Sequence, residues 1–288
     1  MSLTYLLGID AGTSIIKAAL IDREGREQAT AAYPTTIRSP LPDRSEASHA
    51  EFWQLTTAAI RNVLTKANIT GEQVAGVGLS GNMVGAWLID SQGEPVRDAI
   101  LWNDGRTQAL IDRLSLEHPG FMSEIFASSG SVMQQGCTLP VVRWLADHEP
   151  ESLARAAHVL CCKDWLRYKL TGTIFTDITE SAVMPGDIRA RHYNEAMFDL
   201  LSVRDYRHLF PPVADSQTIA GHIHAEAADQ TGLKIGTPVV IGAGDVPSST
   251  IGAGAVEAGV ASIILGTTCL SCLTVAAPSF EPPDVGLL

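Results

Sequence analysis

The stretch of sequence that decides the fold lies near the amino terminus and reads YLLGIDAGTSIIKAALIDREG, residues 5–25. Two apolar runs, Tyr5 to Ile9 and Ile15 to Ile21, flank a turn that runs from Asp10 to Ser14. Short apolar runs joined by a Gly-containing turn are typical of a β-hairpin. We therefore predict a hairpin whose turn carries a carboxylate, a glycine and two hydroxyl groups.

The pattern that follows predicts a mixed sheet with helices. A third strand is expected over 27–33, and Ser48 and Glu51 have the spacing of a capping box ahead of a helical apolar pattern. Further strands are predicted at 74–79, 84–89 and 99–102. Further helices are predicted at 107–116, 140–148 and 163–170, and Gly172 is placed to end the last of them.

A second informative stretch, TPVVIGAGD at residues 237–245, predicts a buried strand that runs into a Gly turn. It is followed by a predicted helix at 247–254 and by two strands, 260–265 and 269–275, hinged at a second Gly-Thr turn. This pair repeats the order of the opening hairpin, which indicates a duplicated unit. Because 288 residues exceed the usual size of one hydrophobic core, we predict two domains, residues 1–243 and residues 244–288.

Composition excludes several classes of partner. The net charge is −12, and no Lys/Arg-rich run is present to bind a nucleic acid backbone. The longest weakly charged stretch, 251–273, is interrupted by Glu257 and is rich in Gly, Ser and Thr, so no membrane segment is expected. Five irregularly spaced cysteines and the lack of a signal-peptide pattern favour a reducing cytoplasm.

Two Gly-Thr turns and one aspartate are the candidates for chemistry. The first turn offers the Asp10 carboxylate for Mg²⁺, Gly12 for close backbone approach and the Thr13 hydroxyl for a phosphate oxygen. The alternative is an ordinary hairpin turn, since Asp and Gly are favoured in turns anyway. The second turn is Gly266-Thr267-Thr268. Asp245 lies between the two turns in sequence, and it suits either a catalytic base or a helix N-cap.

Taken together, these motifs resemble the FGGY family of carbohydrate kinases over nearly the whole chain. The segments that carry the resemblance, in order, are Gly8 to Ser14, Ser80 to Gly85, Ile100 to Arg106, Lys163-Asp164, Gly242 to Asp245 and Leu265 to Thr268. The resemblance implies an α/β, actin-like (ribonuclease H-like) ATPase fold in two domains, the first sugar-binding and the second nucleotide-binding. Members of the family continue well beyond this length, so the second domain is expected to be incomplete here.

The resemblance also implies a reaction and a set of roles. ATP would phosphorylate a hydroxyl group of a small sugar or polyol, with Asp245 as general base and with Asp10 and Asp245 near Mg²⁺. The residues implied for ATP are Asp10, Gly12, Thr13, Ser14, Lys17, Gly266, Thr267 and Thr268. Those implied for the sugar are Asn82, Met83, Trp102, Asn103 and Asp104, although Trp102 also suits a core position. A homodimer is left open.

Two positions bear on the identity of the sugar. D-xylulose kinases of this family typically carry Gln-Met-His-Gly and an Asn after the catalytic Asp, where this chain has Val84 and Val246. Loss of hydrogen-bonding groups changes sugar preference, so another ketopentose, a pentitol or a tetritol is expected, as in the L-xylulose and erythritol kinase branches. The alternative from another class is a catalytically silent protein on the same fold that senses a sugar or a nucleotide.

One motif is expected to mislead. Gly76 to Gly81 satisfies G-x-G-x-x-G, the pattern of a dinucleotide-binding turn. The pattern overlaps a predicted strand and leads into another strand, whereas a dinucleotide site requires a helix there.

Overall fold

The computed structural model describes residues 5–265 and 269–280. The opening hairpin is present, with β1 (Tyr5–Ala11) and β2 (Ile15–Asp22) antiparallel and β3 (Glu27–Pro34) beside β2. Two short strands, β4 (Ile37–Arg38) and β5 (Glu46–Ala47), lead into helix α1 (His49–Lys66). The first three predicted strands and the first predicted helix are therefore confirmed.

The middle of the chain alternates short strands with helices. Its elements are β6 (Val74–Gly81), β7 (Trp87–Ile89), β8 (Ala99–Ile100), α2 (Gln108–Glu117), α3 (Phe121–Ser129), α4 (Thr138–His148), α5 (Pro150–Arg155), β9 (His158–Leu160), α6 (Cys162–Thr171), β10 (Thr176–Asp177), α7 (Ile178–Val183), α8 (Glu195–Leu200), a 3₁₀ helix (Arg204–Leu209), β11 (Val213–Ala214), β12 (Ile219–His222) and α9 (Ala225–Thr231). Gly172 ends α6 in the left-handed region at φ +71°, as predicted.

The last described elements follow the second informative stretch. They are β13 (Pro238–Val240), β14 (Ala243–Gly244), α10 (Asp245–Gly252), β15 (Ala261–Leu265) and β16 (Cys269–Leu273). The strands β15 and β16 form an antiparallel hairpin, as the repeated pattern predicts. The predicted domain boundary after residue 243 falls inside β14, and this boundary stays a prediction.

A seven-stranded sheet is the centre of the molecule. Its order is β12-β13-β6-β1-β2-β3, and β14 also pairs with β6. The strands β1, β13 and β14 all run parallel to β6. Parallel strands end at the same edge of a sheet, so the residues that follow β1, β6 and β14 are brought together.

One face of this sheet packs on helices and forms the first hydrophobic core. Along β1 the side chains alternate, and Leu7, Ile9 and Ala11 are buried against helix residues such as Phe52 and Ile60. A second core cluster joins helices α2, α3, α4 and α8. Over the described ranges, no helix has both the length and the apolar character needed to cross a bilayer.

The strand predicted over 84–89 is shorter in the structure and begins only at Trp87. Val84 and Gly85 both have positive φ, +52° and +73°. The Val84 N–H donates to a Glu180 carboxylate oxygen at 2.8 Å and not to a neighbouring strand. An added Cβ at Gly85 would lie 2.3 Å from the Ile100 carbonyl oxygen, so this bend requires glycine. Tertiary contacts therefore override the strand pattern at this point.

The capping box predicted for α1 forms only in part. The Ser48 hydroxyl accepts the Glu51 N–H at 3.4 Å, as expected for an N-cap. The Glu51 carboxylate accepts the Thr36 N–H at 2.8 Å and so ties the preceding loop to the helix.

Candidate active site

The ends of three parallel strands build the site. Asp10 on β1 is paired with Ser80 on β6, and Ser80 is paired on its other side with Ala243 of β14. Neighbouring strands lie about 4.8 Å apart, so Asp10 and Ala243 are separated by roughly 10 Å across Ser80. The Ser80 hydroxyl donates to Asp10 Oδ1 at 3.1 Å. Asp245 follows Ala243 by two residues and opens α10 at this edge.

Asp245 is the first residue of α10 and follows a sharp bend of the chain at Gly242. Gly242, at φ +84°, approaches β6 so closely that an added Cβ would lie 2.2 Å from the Leu79 carbonyl oxygen. Burial raises the pKa of the Asp245 carboxyl to about 6, the Val246 N–H opposes the rise, and the negative charge of Asp10 adds to it. A carboxyl group with a pKa near 6 is ionised at neutral pH and can accept a proton, which is compatible with the base predicted at this position.

The first Gly-Thr turn lies beside this acidic pair. Gly12 donates its N–H to the Ile15 carbonyl oxygen at 3.1 Å, which closes the turn. Ser14 and Lys17 are exposed, and Lys17 is paired with Asp10 across β1 and β2, so the two side chains share a face of the sheet. A hydroxyl group and an ammonium group beside a pair of carboxylates suit the binding of a metal-bound triphosphate.

The two carboxylates fit Mg²⁺. The negative charge of Asp10 adds to the raised pKa of Asp245, and a divalent cation held by these carboxylates would offset that effect. Among residues 5–265 and 269–280 no group of three or more His, Cys, Asp or Glu side chains is arranged to hold a metal. Magnesium is usually bound through one or two carboxylates together with substrate phosphates and water, so a pair of aspartates is a suitable donor set.

The residues predicted for the sugar lie on two loops next to the turn. Asn82 follows β6 directly, is buried, and donates its side-chain N–H to the Ala11 carbonyl oxygen at 3.0 Å. Met83 packs on Gly244, since a Cβ there would lie 2.4 Å from the Met83 sulfur. Trp102 donates its indole N–H to the Thr13 hydroxyl at 2.9 Å. This bond joins the loop that carries Trp102 to the first Gly-Thr turn.

A cavity of about 320 Å³ opens beside Trp102. It is lined by Trp102, Asn103, Gln108, Met133, Gln134 and Gln135. One aromatic ring, one thioether and four amides line it, so its wall combines apolar surface with hydrogen-bonding groups. Trp102 and Asn103 are among the residues predicted for the sugar, and their contact with a sugar stays a prediction; no local sequence pattern marks the other four lining residues.

Asp104 differs in character from the other residues predicted for the sugar. Its carboxylate is fully buried, accepts the Ser45 N–H at 2.7 Å, and pairs with the Arg106 guanidinium at 2.6 Å. These bonds fix the loop that carries Trp102 and Asn103. Its direct contact with a sugar stays a prediction.

Two further residues accept hydrogen bonds from backbone N–H groups of the candidate site, and neither was predicted from the sequence. Thr179 Oγ1 accepts the Gly244 N–H at 3.0 Å, and Glu180 accepts the Val84 N–H at 2.8 Å. They are neighbours in the short helix α7, where no motif draws attention to them. The second Gly-Thr turn, residues 266–268, lies outside the described residues, and its role stays a prediction.

The sheet order and the strand-end aspartates define the class of fold, an actin-like ATPase fold. A crystal structure of xylulose kinase from Rhodospirillum rubrum shares it at a TM-score of 0.88 and 26% identity, covering 96% of this chain and 56% of that one. Residues 5–252 match the N-terminal domain of the FGGY family of carbohydrate kinases. The chain belongs to this family.

The chain is also similar in sequence to curated kinases of this family. The chain is 36% identical over 266 residues to L-xylulose/3-keto-L-gulonate kinase of Escherichia coli, a match covering 91% of this chain and 53% of the relative. It is 33% identical over 276 residues to erythritol kinase of Brucella abortus, covering 94% and 50%. The chain therefore spans about half the length of the curated relatives it matches.

Proposed function

We propose that the whole protein transfers the γ-phosphate of ATP to a hydroxyl group of a small sugar or polyol. The observation that carries this proposal is the convergence of β1, β6 and β14, which brings Asp10 and Asp245 within electrostatic reach beside a Gly-Thr turn. Phosphoryl transfer needs mainly positioning and charge stabilisation, and turns with a few acids supply both. Membership in a family of carbohydrate kinases supports the same reaction.

Asp245 would act as the general base. With its pKa near 6, the carboxylate is ionised at neutral pH and retains enough basicity to take the proton of an attacking hydroxyl group. Bound Mg²⁺ would neutralise the charge of the phosphates. Asp10 would hold that ion, with Gly12, Thr13, Ser14 and Lys17 near the phosphates, and Gly266, Thr267 and Thr268 are proposed to contact them from the second turn.

The proposed substrate is a five-carbon ketose other than D-xylulose, or a four- or five-carbon polyol. The buried Asn82 Oδ1 accepts no hydrogen bond from the described residues, which favours a sugar hydroxyl as its donor. The Val84 side chain has no hydrogen-bonding group, and its backbone N–H is already donated to Glu180, so Val84 offers a sugar no hydrogen-bond donor. Relatives named for L-xylulose and erythritol support this choice.

A coupled ADP-release assay on the whole protein tests the reaction. The panel contains L-xylulose, D-xylulose, erythritol and the pentitols, and kcat/KM is compared across it. We expect L-xylulose or a polyol to exceed D-xylulose. A clear preference for D-xylulose would overturn the substrate assignment, and sugar or nucleotide binding without turnover on any acceptor would favour the silent sensor.

Asp245→Asn separates catalysis from binding in the same assay. The substitution keeps the size of the side chain and removes the base, so kcat should fall by about 10²- to 10⁴-fold while the sugar Kd from calorimetry changes little. Asp229→Asn, at an exposed carboxylate on α9, is the matched control. Near-normal turnover in Asp245→Asn would refute the role of Asp245.

A further inference from the structure

Helix α7 contacts two segments of the candidate site, the one that leads into Asp245 and the one that carries Asn82 and Met83. Its N-cap is Asp177, whose buried carboxylate accepts the Thr179 N–H at 2.9 Å and the Thr179 hydroxyl at 2.7 Å. The Thr179 hydroxyl in turn accepts the Gly244 N–H at 3.0 Å. Thr179 is thus held on one side by a buried carboxylate and holds on the other side the residue directly before Asp245.

The next residue of α7, Glu180, contacts the segment that carries Asn82 and Met83. Glu180 is fully buried, and burial raises the pKa of its carboxyl group to about 8; Oε2 of this group accepts the Val84 N–H at 2.8 Å. Val84 has φ +52°, a conformation that a β-branched residue adopts only when its surroundings impose it. The hydrogen bond that Glu180 accepts from the Val84 N–H therefore supports the left-handed turn that directly follows Asn82 and Met83.

A buried ionic cluster fixes α7 to the body of the domain. The Lys163 ammonium lies 2.7 Å from the Asp164 carboxylate and 2.8 Å from Asp177. The Arg167 guanidinium lies 2.8 Å from Asp164 and donates to the Ile241 carbonyl oxygen at 2.9 Å, just before the bend that leads to Asp245. Side chains that are buried and paired on several sides have little freedom to move, which suits a support for a catalytic site.

We infer that α7 sets the position of the base relative to the sugar, with Thr179 positioning Asp245 through the Gly244 N–H and Glu180 positioning the Asn82-Met83 loop through the Val84 N–H. The inference rests on the proposed function for its kinetic consequence. The two supported segments also touch, because Met83 packs on Gly244. Neither residue contacts the reacting atoms, so both act as positioning residues.

The first test is kinetic and uses the whole protein. Thr179→Val removes the hydroxyl at nearly constant volume and should lower kcat by about tenfold or more, the effect of a misplaced base, with the KM for sugar within about twofold. Thr179→Ser keeps the hydroxyl and should restore most of the rate. Glu180→Ala should mainly raise the KM for sugar, by about tenfold, and Glu180→Gln, which keeps an acceptor oxygen, should raise it less. Thr65→Val, at an exposed hydroxyl on α1, is the control.

The second test does not depend on activity. Amide hydrogen exchange should become about tenfold faster at Gly244 in Thr179→Val and at Val84 in Glu180→Ala, each without change at the other amide, because each variant removes one acceptor. Equal acceleration at both amides in both variants would show that α7 merely stabilises the fold and would overturn the inference. If each variant speeds exchange at its own amide only, and the wild-type protein phosphorylates no sugar, the proposed function alone would be overturned. If each variant speeds exchange at its own amide only, but the Thr179 and Glu180 variants change kcat and the KM for sugar alike, the inference alone would be overturned.

Discussion

At the scale of single residues, the candidate site combines a catalytic requirement with a cost to stability. Asp245 is partly buried near Asp10, and these surroundings disfavour its charged form and raise its pKa to about 6. In the unfolded chain an ordinary aspartate ionises near pH 4. Between these two values the folded protein binds more protons than the unfolded chain, so this group makes the fold less stable as the pH rises. The ionised base is a destabilising feature at neutral pH.

Asp245→Asn should therefore stabilise the protein although it lowers turnover. Above pH 6 we expect the variant to exceed the wild-type free energy of unfolding by about 1 to 3 kcal/mol, and the difference should become small near pH 4 and vanish below it, where the wild-type carboxyl becomes protonated in both states. Thermal unfolding at pH 8, pH 6 and pH 4 measures this difference. A variant that is less stable than the wild type at pH 8 would contradict it.

His49 has the opposite dependence on pH. It lies in a buried aromatic cluster, with ring centroids 4.7 Å from Trp87 and 4.9 Å from Trp165, and burial lowers its pKa to about 3. The unfolded chain binds the proton first as the pH falls below about 6.5, so the stabilising contribution is present above that pH and is lost toward pH 3. This residue makes the fold sensitive to acid.

His49→Phe should reduce that sensitivity, because it keeps an aromatic ring and removes the titrating group. Between pH 7 and pH 4.5 we expect the wild-type free energy of unfolding to fall by about 2 kcal/mol more than that of the variant. Urea unfolding at the two pH values, with the Asp245 carboxyl intact in both proteins, measures the difference. An equal loss in both proteins would show that His49 does not titrate on unfolding.

At the scale of elements, the bend between β13 and α10 depends on one glycine. Gly242 and Gly236 both have positive φ, at +84° and +86°. An added Cβ at Gly242 would lie 2.2 Å from the Leu79 carbonyl oxygen, whereas nothing lies within 4 Å of one at Gly236. The two glycines thus differ in the space around them and not in conformation.

Alanine at these two positions should separate steric overlap from backbone strain. Gly236→Ala should cost about 1 to 2 kcal/mol of stability, the effect of a left-handed Ala alone. Gly242→Ala should cost about 3 kcal/mol or more, because β6 must also move, and it should impair the setting of Asp245. Chemical denaturation of both variants tests this, and equal losses would show that the close approach to Leu79 is not rigid.

The sequence predicted the elements whose signals are local. The opening hairpin, the Ser48 cap of α1 and the Gly172 stop of α6 each depend on neighbouring residues and are present in the structure. The strand predicted to begin at Val84 failed because the Glu180 carboxylate, 96 residues away along the chain, takes its N–H. The hydrogen bond between Trp102 and Thr13 could not be predicted from the sequence either, because bonds between distant segments leave no periodic pattern.

At the scale of the whole molecule, the first 252 residues and the segment after them differ in packing. The central sheet has a covered core, whereas the hairpin β15–β16 leaves its apolar side chains in solvent, with Ile263 65% exposed, Leu265 80% and Leu273 61%. A two-stranded hairpin is at best marginally stable by itself. The residues proposed for the sugar all lie before this hairpin, and the second Gly-Thr turn lies between its two strands in sequence.

The polypeptide of residues 1–288, produced alone, should therefore separate sugar binding from turnover. We expect calorimetry to detect weak binding of the preferred sugar, and a coupled assay to show ATP turnover at least about 100-fold below that of a family member of full length, because precise placement of the triphosphate from both turns is needed for transfer. Limited proteolysis should cut first within residues 253–280 and leave residues 5–252 protected, since exposed segments with few buried contacts open most readily. Mass spectrometry of the fragments locates the cut. Turnover equal to that of a full-length kinase, with a protease-resistant hairpin, would show that the covered core and the two-strand segment already form a complete catalytic unit.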